Sequence, residues 1–391
     1  MAFNKNEFGA LVKAYRQQRG WTQEELAERW GHTRGYVSQV EAGRRKVDSA
    51  EQFVRLADIL EIPQEQLEAI GRGIPERRIK TPTLAQADDA ILQMLLAPAR
   101  EMIKFAWLAW WADSVPNIEE RLCDLVAQLD QALSSYRGEF TAHAQQLLAY
   151  AHQMLGKIAQ DRLDYTAAGA HFSEMITFGL ELNDADIVTN GMVHQADVLR
   201  KRGRFEASLR CFEAAKPYAE VASPSVKGRR LMIMGRAYAS YGDGLNFLRV
   251  ADESIEIAES IKETLDSLAD EFSYCDALQE KAQGHTVLWQ PEKALEIYKE
   301  TDRLRPFRQL RDRSSYAIVK AQAYAYMGDL HKGTEYAIKG LKMATKVKSK
   351  RYIDRLEIMH NRLRVTKMGS DRHVKELGEA LRETRYKQAE W

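Results

Sequence analysis

Only nine of the 391 residues are proline and three are cysteine, and 57 lysines and arginines stand against 56 aspartates and glutamates. Each shortage excludes something. Cys123, Cys211 and Cys275 lie far apart, with no CxxC and no paired Cys/His spacing. That excludes a disulfide framework and a zinc finger and fits a reducing cytoplasm. A net charge of +1 means that attraction to nucleic acid must come from a local patch, not a global field. The first residues, MAFNKNEFGALVKAYRQQRG, lack the apolar core of a signal peptide. The most apolar patch, Ile103 to Trp111, is too short to cross a bilayer. These features predict a soluble, cytoplasmic protein with no membrane association. Catalytic signatures are also missing: no HExxH, no phosphate-cradling loop and no nucleophile elbow. His143 and His152 could flank a helix face, but no third metal ligand presents itself. The reading is a binding protein, not an enzyme, with neither cofactor nor metal.

What is present is helix-forming. Few prolines and β-branched runs, with abundant Ala, Leu, Glu, Lys and Arg, predict an all-α chain. Phe8, Leu11, Val12 and Tyr15 fall on one helical face, and Gly20 closes that helix. Thr22 with Glu25 reads as a capping box opening a second helix whose inner side is Leu26, Ala27 and Trp30. Gly31 ends it. Thr33 caps a third helix with Val37 and Val40 inward, and Gly43 ends that one. Ser49 with Gln52 begins a fourth, carrying Val54, Leu56, Ala57 and Leu60, and Pro63 begins a fifth that ends near Gly71.

With Val37 and Val40 inward, helical geometry leaves Arg34, Gly35, Tyr36, Ser38 and Gln39 outward. Arg suits guanine and Gln suits adenine in a major groove, each pair worth about 1–3 kcal/mol of discrimination. Arg44, Arg45 and Lys46 follow the helix and suit phosphates, which position a protein without reading sequence. The run WTQEELAERWGHTRGYVSQVEAGRRKVDSAEQFVRLADIL resembles the Xre family of Cro/CI-type helix-turn-helix regulators. The resemblance implies that Gln23 and Thr33 contact phosphate, that Arg34, Gly35 and Gln39 sit where base readers sit, and that Tyr36 touches the groove wall or a thymine methyl. It also implies that Arg16 and Glu41 form a structural ion pair. Gly35 departs from the usual reading surface by lacking a side chain.

Beyond this domain (residues 1–72), residues 73–90 read as a linker, with Pro75, Pro82 and the basic residues Arg77, Arg78 and Lys80. Residues 91–142 read as connecting and capping helices. Their aromatic cluster of Phe105, Trp107, Trp110 and Trp111 is expected in the core or at a dimer contact. From 143 to 391 the chain repeats. Taking Leu163, Gly203, Gly242, Trp289 and Gly328 as equivalent turns gives spacings of 40, 39, 47 and 39 residues. Gly156, Ala196, Gly235, Ala282 and Ala321 fall seven positions before each turn, where small residues let paired helices approach. This pattern resembles tetratricopeptide (TPR) repeats and predicts a right-handed α-solenoid.

In such hairpins the first helix lines the concave face. There Asn190, His194, Asp197 and Lys201 form a polar stripe, joined by Arg229 and Arg236 and by Gln322. An Asn amide can hold peptide backbone and Arg a carboxylate. A helix-turn-helix followed by TPR-like repeats resembles the peptide-responsive quorum-sensing (RRNPP) regulators of Gram-positive bacteria. The resemblance implies a homodimer on a double-stranded DNA operator, switched by a short peptide in the repeat groove. The alternative is a DNA-recruited scaffold that holds a protein partner in that groove.

Overall fold

The computed structural model describes residues 5–45, 47, 50–63, 89–112, 118–136, 138–261, 272–304 and 308–388. The expected helix after Pro63, the Ser49 cap, Lys46 and the linker with Arg77, Arg78 and Lys80 lie outside these residues. The chain divides into two compact units, Met1–Ala85 and Gln86–Trp391. Among the described residues every regular element is helical.

The first unit contains α1 (Lys5–Gln18), α2 (Gln23–Trp30), α3 (Arg34–Glu41) and α4 (Ala50–Ile59). Its boundaries follow local chemistry. Thr22 Oγ1 accepts from the Glu25 N–H at 3.2 Å, while the Glu25 carboxylate accepts from the Thr22 N–H at 2.7 Å, so two orphan donors at the start of α2 are satisfied. Gly31 ends α2 at φ 78°, a left-handed backbone that glycine adopts without steric cost. Thr33 then caps α3 by accepting from the Tyr36 N–H at 3.3 Å. Phe8, Val12, Leu26, Trp30, Val37 and Leu56 meet in one core. At Gly9 a Cβ would lie 2.5 Å from the Val40 carbonyl oxygen, so α1 rests directly on α3.

The second unit opens with α5 (Asp89–Ala112) and α6 (Ile118–Ser135). Five hairpins follow: α7 (Thr141–Asp161) with α8 (Tyr165–Glu181), α9 (Ala185–Lys201) with α10 (Phe205–Ala214), α12 (Pro224–Tyr241) with α13 (Gly244–Ser260), α14 (Tyr274–Val287) with α15 (Pro291–Leu304), and α16 (Leu310–Met327) with α17 (Leu330–Lys346). A short α11 (Lys216–Val221) extends the second hairpin, and α18 (Lys350–Arg364) with α19 (Arg372–Gln388) ends the series. The five residues aligned as turns, Leu163, Gly203, Gly242, Trp289 and Gly328, all take positive φ, between 59° and 96°. Three are glycines, as that conformation favours. Asp164, Asp243 and Asp329 stand one residue after such a turn and cap the next helix.

Small residues do the work assigned to them. Ala196, Ala282 and Ala321 are fully buried, and at Gly156 a Cβ would fall 2.4 Å from the Phe172 ring. The first helices of successive hairpins touch one another from α7 through α9, α12, α14 and α16 to α18, and α18 touches α7. They form an inner layer that closes on itself. Trp107 and Trp110 of α5 are buried, whereas Phe105 is 46% exposed and stands outside the core.

Candidate functional site

Two groups of polar side chains stand out, one in each unit. In the first unit, α3 is held by its rear face and free on its front. Arg16 Nε and Nη2 donate to the two oxygens of Glu41 at 2.6 and 3.0 Å, and Nη1 donates to the Trp21 carbonyl at 2.6 Å. This bidentate pair, almost wholly buried, fixes the C-terminus of α3 against α1. Arg34, Gly35, Ser38 and Gln39 are exposed, as are Thr33 and Arg44. They present the N-terminal part of α3 outward, the geometry in which a recognition helix reaches base edges.

Two residues expected at DNA are also engaged internally. Gln23 Nε2 donates to Glu41 Oε2 at 2.8 Å, so one of its two amide hydrogens serves the ion pair. Tyr36 is half-buried, its ring stacked on His32 at 4.4 Å and set 5.3 Å from Trp30. The Arg45 guanidinium lies over the outer face of that ring at 4.6 Å. Cation–π contact therefore holds Arg45 beside α3. The sequence reading missed His32, whose Nε2 meets Gln52 Oε1 at 3.0 Å and ties the α2–α3 turn to α4. Its position in that turn was the available signal.

In the second unit, the expected stripe is not a free row. Asn190, His194, Asp197 and Arg229 are buried, and Asp197 pairs with Arg200 and Lys201 of its own helix. Arg229 Nη1 donates to Asn190 Oδ1 at 2.9 Å, and Gln153 Nε2 lies 3.1 Å from His194 Nε2, whose ring stacks on Phe172. Neighbouring first helices approach closely enough for Arg229 to bond to Asn190 across them. Gln322 is half-buried and accepts from Arg355 Nη2 at 3.4 Å. Arg236 forms a bidentate pair with Glu280.

Further along the same layer, charge concentrates. Lys201 Nζ reaches Asp197 Oδ2 at 2.6 Å and Gln160 Oε1 at 3.1 Å, and Arg200 meets Asp197 Oδ1 at 2.7 Å. Burial disfavours the ionised Asp197, yet Lys201, Arg200 and Arg236 hold its carboxyl well below the usual range. Burial, with Arg351 and Arg200 nearby, outweighs Asp197 and pulls the Lys201 ammonium down to about 7. Where the layer closes, Arg311 Nη1 donates to Asp161 Oδ2 at 2.8 Å and Ser349 Oγ donates to Oδ1 at 2.7 Å. Arg311 also donates to the carbonyls of Trp110 (2.7 Å) and Val347 (3.1 Å), with its guanidinium 3.7 Å from the Trp110 ring centre. Gln153, Gln160, Asp161, Glu280, Arg311, Arg351 and Arg355 were not anticipated. Only the spacing of Gln153 and Gln160 on one face of α7 was legible beforehand. No group of side chains suited to hold a metal occurs among the described residues, and no described helix is long and apolar enough to cross a membrane.

A chain of this construction is an all-helical protein that joins a helix-turn-helix unit to a series of helical hairpins. Residues 7–70 match the family described as "Helix-turn-helix domain", and this segment is a helix-turn-helix domain. No curated protein matches the chain. Among solved structures it is similar to PlcR of Bacillus thuringiensis in complex with the peptide PapR7 and DNA, at 16% identity and a TM-score of 0.31, covering 84% of this chain and 97% of that one. ComR from Streptococcus suis matches at 11% identity and a TM-score of 0.20, covering 93% and 96% respectively. A signal transduction ATPase with a tetratricopeptide repeat sensor from Pyrococcus horikoshii matches at 13% identity and a TM-score of 0.42; the match covers 98% of this chain and 63% of that protein.

Proposed function

We propose that this protein is a sequence-specific transcriptional regulator that binds duplex DNA as a homodimer and is switched by a short peptide on the inner face of its hairpin layer. The observation that carries the DNA half is the exposed front of α3, with Arg34, Ser38 and Gln39 presented by a helix whose rear face is locked through Glu41. Arg34 and Gln39 read base edges. Arg44 and Arg45 hold phosphate, with Lys46, Thr33 and the remaining amide hydrogen of Gln23 as further phosphate contacts. Two such domains read two half-sites about one DNA turn apart, which is why a dimer is required.

The peptide half is supported by the inner layer. Gln153 Oε1, Gln160 Nε2 and Thr189 Oγ1 are buried polar atoms without a partner among the described residues. Those atoms are closed to solvent, whereas the half-buried Gln322 and Arg355 of the same layer offer a peptide donors and acceptors. The switch is a population shift: a ligand that binds one curvature of the layer better than another favours it in proportion to that difference.

Binding-site selection from random duplexes with the full chain tests the DNA half. Wild type should enrich a two-part motif. Arg34→Ala and Gln39→Ala should relax one or two base pairs in each half, at about 1–3 kcal/mol of lost discrimination. Enrichment of no motif would refute sequence-specific binding. Native mass spectrometry of protein from its source cells tests the rest: a dimer releasing a mass of several residues supports the switch, while a stoichiometric partner protein would replace the peptide by a scaffold role.

A further inference from the structure

The second and third hairpins hold a buried cation that no carboxylate neutralises. On α12, two consecutive arginines turn to different neighbours. Arg229 meets Asn190 of α9 in the inner layer, whereas Arg230 turns to α10, where Nε and Nη2 both donate to the Phe212 carbonyl at 3.1 and 2.7 Å. Arg230 is 6% exposed. That carbonyl is its only hydrogen-bond partner among the described residues, and it forms no ion pair with them. A guanidinium carries five N–H donors, so three are unused, two of them on Nη1. Nη1 is not among the buried atoms closed to solvent. Arg230 lines a cavity of about 280 Å³ bounded by α10, α11, α12 and α13.

The walls of that cavity select its occupant. Its floor is apolar, made by the buried Ala219, Leu231, Met234 and Val250. Its rim is charged, with Lys216, Lys227 and Arg249 set among Glu213, Glu220 and Glu253. Counting Arg230, four cations face three carboxylates, an excess of one positive charge. Arg249 takes up Glu253 at 3.9 Å. Burial pulls the Arg230 guanidinium below its usual value, and Glu213 and Glu253 offset this only in part. A buried cation without a paired anion is costly, and the edge of a guanidinium fits a carboxylate. An excess of one charge suits a monoanion; a doubly charged phosphate would be opposed by the three carboxylates.

We infer that this cavity is a binding site for a small monocarboxylate with an aliphatic body, its carboxylate accepting from Arg230 Nη1 and its chain lying over Leu231 and Met234. Lys227, exposed and one helical turn before Leu231 on α12, adds attraction at the mouth. The inner face takes no part, so the site holds whether or not a peptide binds there.

Hexanoate is the probe, with hexanamide as its neutral isostere and inorganic phosphate as a doubly charged anion. Each is titrated into the full chain at neutral pH and constant ionic strength. The readout is the methyl signal of Met234 in protein carrying isotope-labelled methionine, assigned by Met234→Leu. Hexanoate should shift that signal saturably, and hexanamide should bind about tenfold more weakly. In Arg230→Gln the two should differ by less than about twofold. Lys227→Gln should weaken hexanoate by about twofold, as the loss of an exposed charge does. Circular dichroism confirms folding; should Arg230→Gln fail to fold, Arg230→Lys, which keeps the charge and removes the fork, carries the same expectation.

No saturable shift of the Met234 signal overturns the site. Equal binding of hexanoate and hexanamide in wild type, or an undiminished preference in the Arg230 variant, overturns the role of Arg230. Phosphate binding more tightly than hexanoate overturns the monocarboxylate.

Discussion

Arg311 is the residue on which closure of the inner layer most depends. It is 3% exposed and bonds three segments at once: the Trp110 carbonyl at the end of α5, Asp161 at the end of α7 and the Val347 carbonyl before α18. Asp161, 5% exposed, is shared with Ser349 and Arg351. Breaking a buried pair by removing one partner costs roughly 3–5 kcal/mol, because the other charge stays buried. Asp161→Asn strips the counter-charge from Arg311 and turns an amide donor toward its Nη1, but spares both carbonyl bonds. Arg311→Met also orphans those two carbonyls, so it should cost more, near the upper end of that range. In the double variant the unpaired charges are largely gone, and a double-mutant cycle should show coupling of roughly 2–3 kcal/mol. Urea denaturation followed by circular dichroism and by tryptophan fluorescence measures all four proteins. Trp110, beneath the guanidinium, is one of the seven tryptophans that contribute to the fluorescence. Coupling below about 0.5 kcal/mol, or a cost for Asp161→Asn below about 1 kcal/mol, would show that the layer does not close through this pair.

Three further outcomes are expected. At Gly35 a Cβ would meet nothing nearer than Thr33 Oγ1 at 4.0 Å, so nothing in the fold demands glycine there. Gly35→Ala should therefore raise stability by up to about 1 kcal/mol, and a simultaneous loss of operator affinity would locate DNA backbone against this position; unchanged affinity would deny it. Gly156→Ala drives a methyl into the Phe172 ring and should destabilise the second unit by about 1–3 kcal/mol, read from its urea midpoint. Burial, with His171 alongside, lowers His152 from 6.5 to about 4. The unfolded chain then binds more protons between those values, so stability present above pH 6.5 falls as the pH drops to 4, by up to about 3 kcal/mol. His152→Gln should flatten that slope, and an unchanged slope would assign the acid lability to other groups.

The local features were legible because each rests on a few neighbouring residues. The Thr22–Glu25 box, the Thr33 cap, the Gly31 and Gly43 stops and the apolar spacing of Val37 and Val40 define the helix-turn-helix without reference to the rest of the chain. The hairpin turns were equally readable: a left-handed residue recurring every forty or so positions leaves its mark even where Leu163 or Trp289 replaces glycine. The inner face was only half legible. Helical spacing grouped Asn190, His194 and Asp197 on one polar stripe of their helix and set Arg229 beside them, but it carried no information about which side chains of other helices would meet them. Arg229 reaches Asn190 across 39 positions, and Arg311 reaches Asp161 across 150. Which carboxylate neutralises which cation depends on closure of the layer. The sequence by itself determined the elements and the outward face of α3; only the tertiary structure decided the charge balance of the inner face, because charges pair by distance in space and not by spacing along the chain.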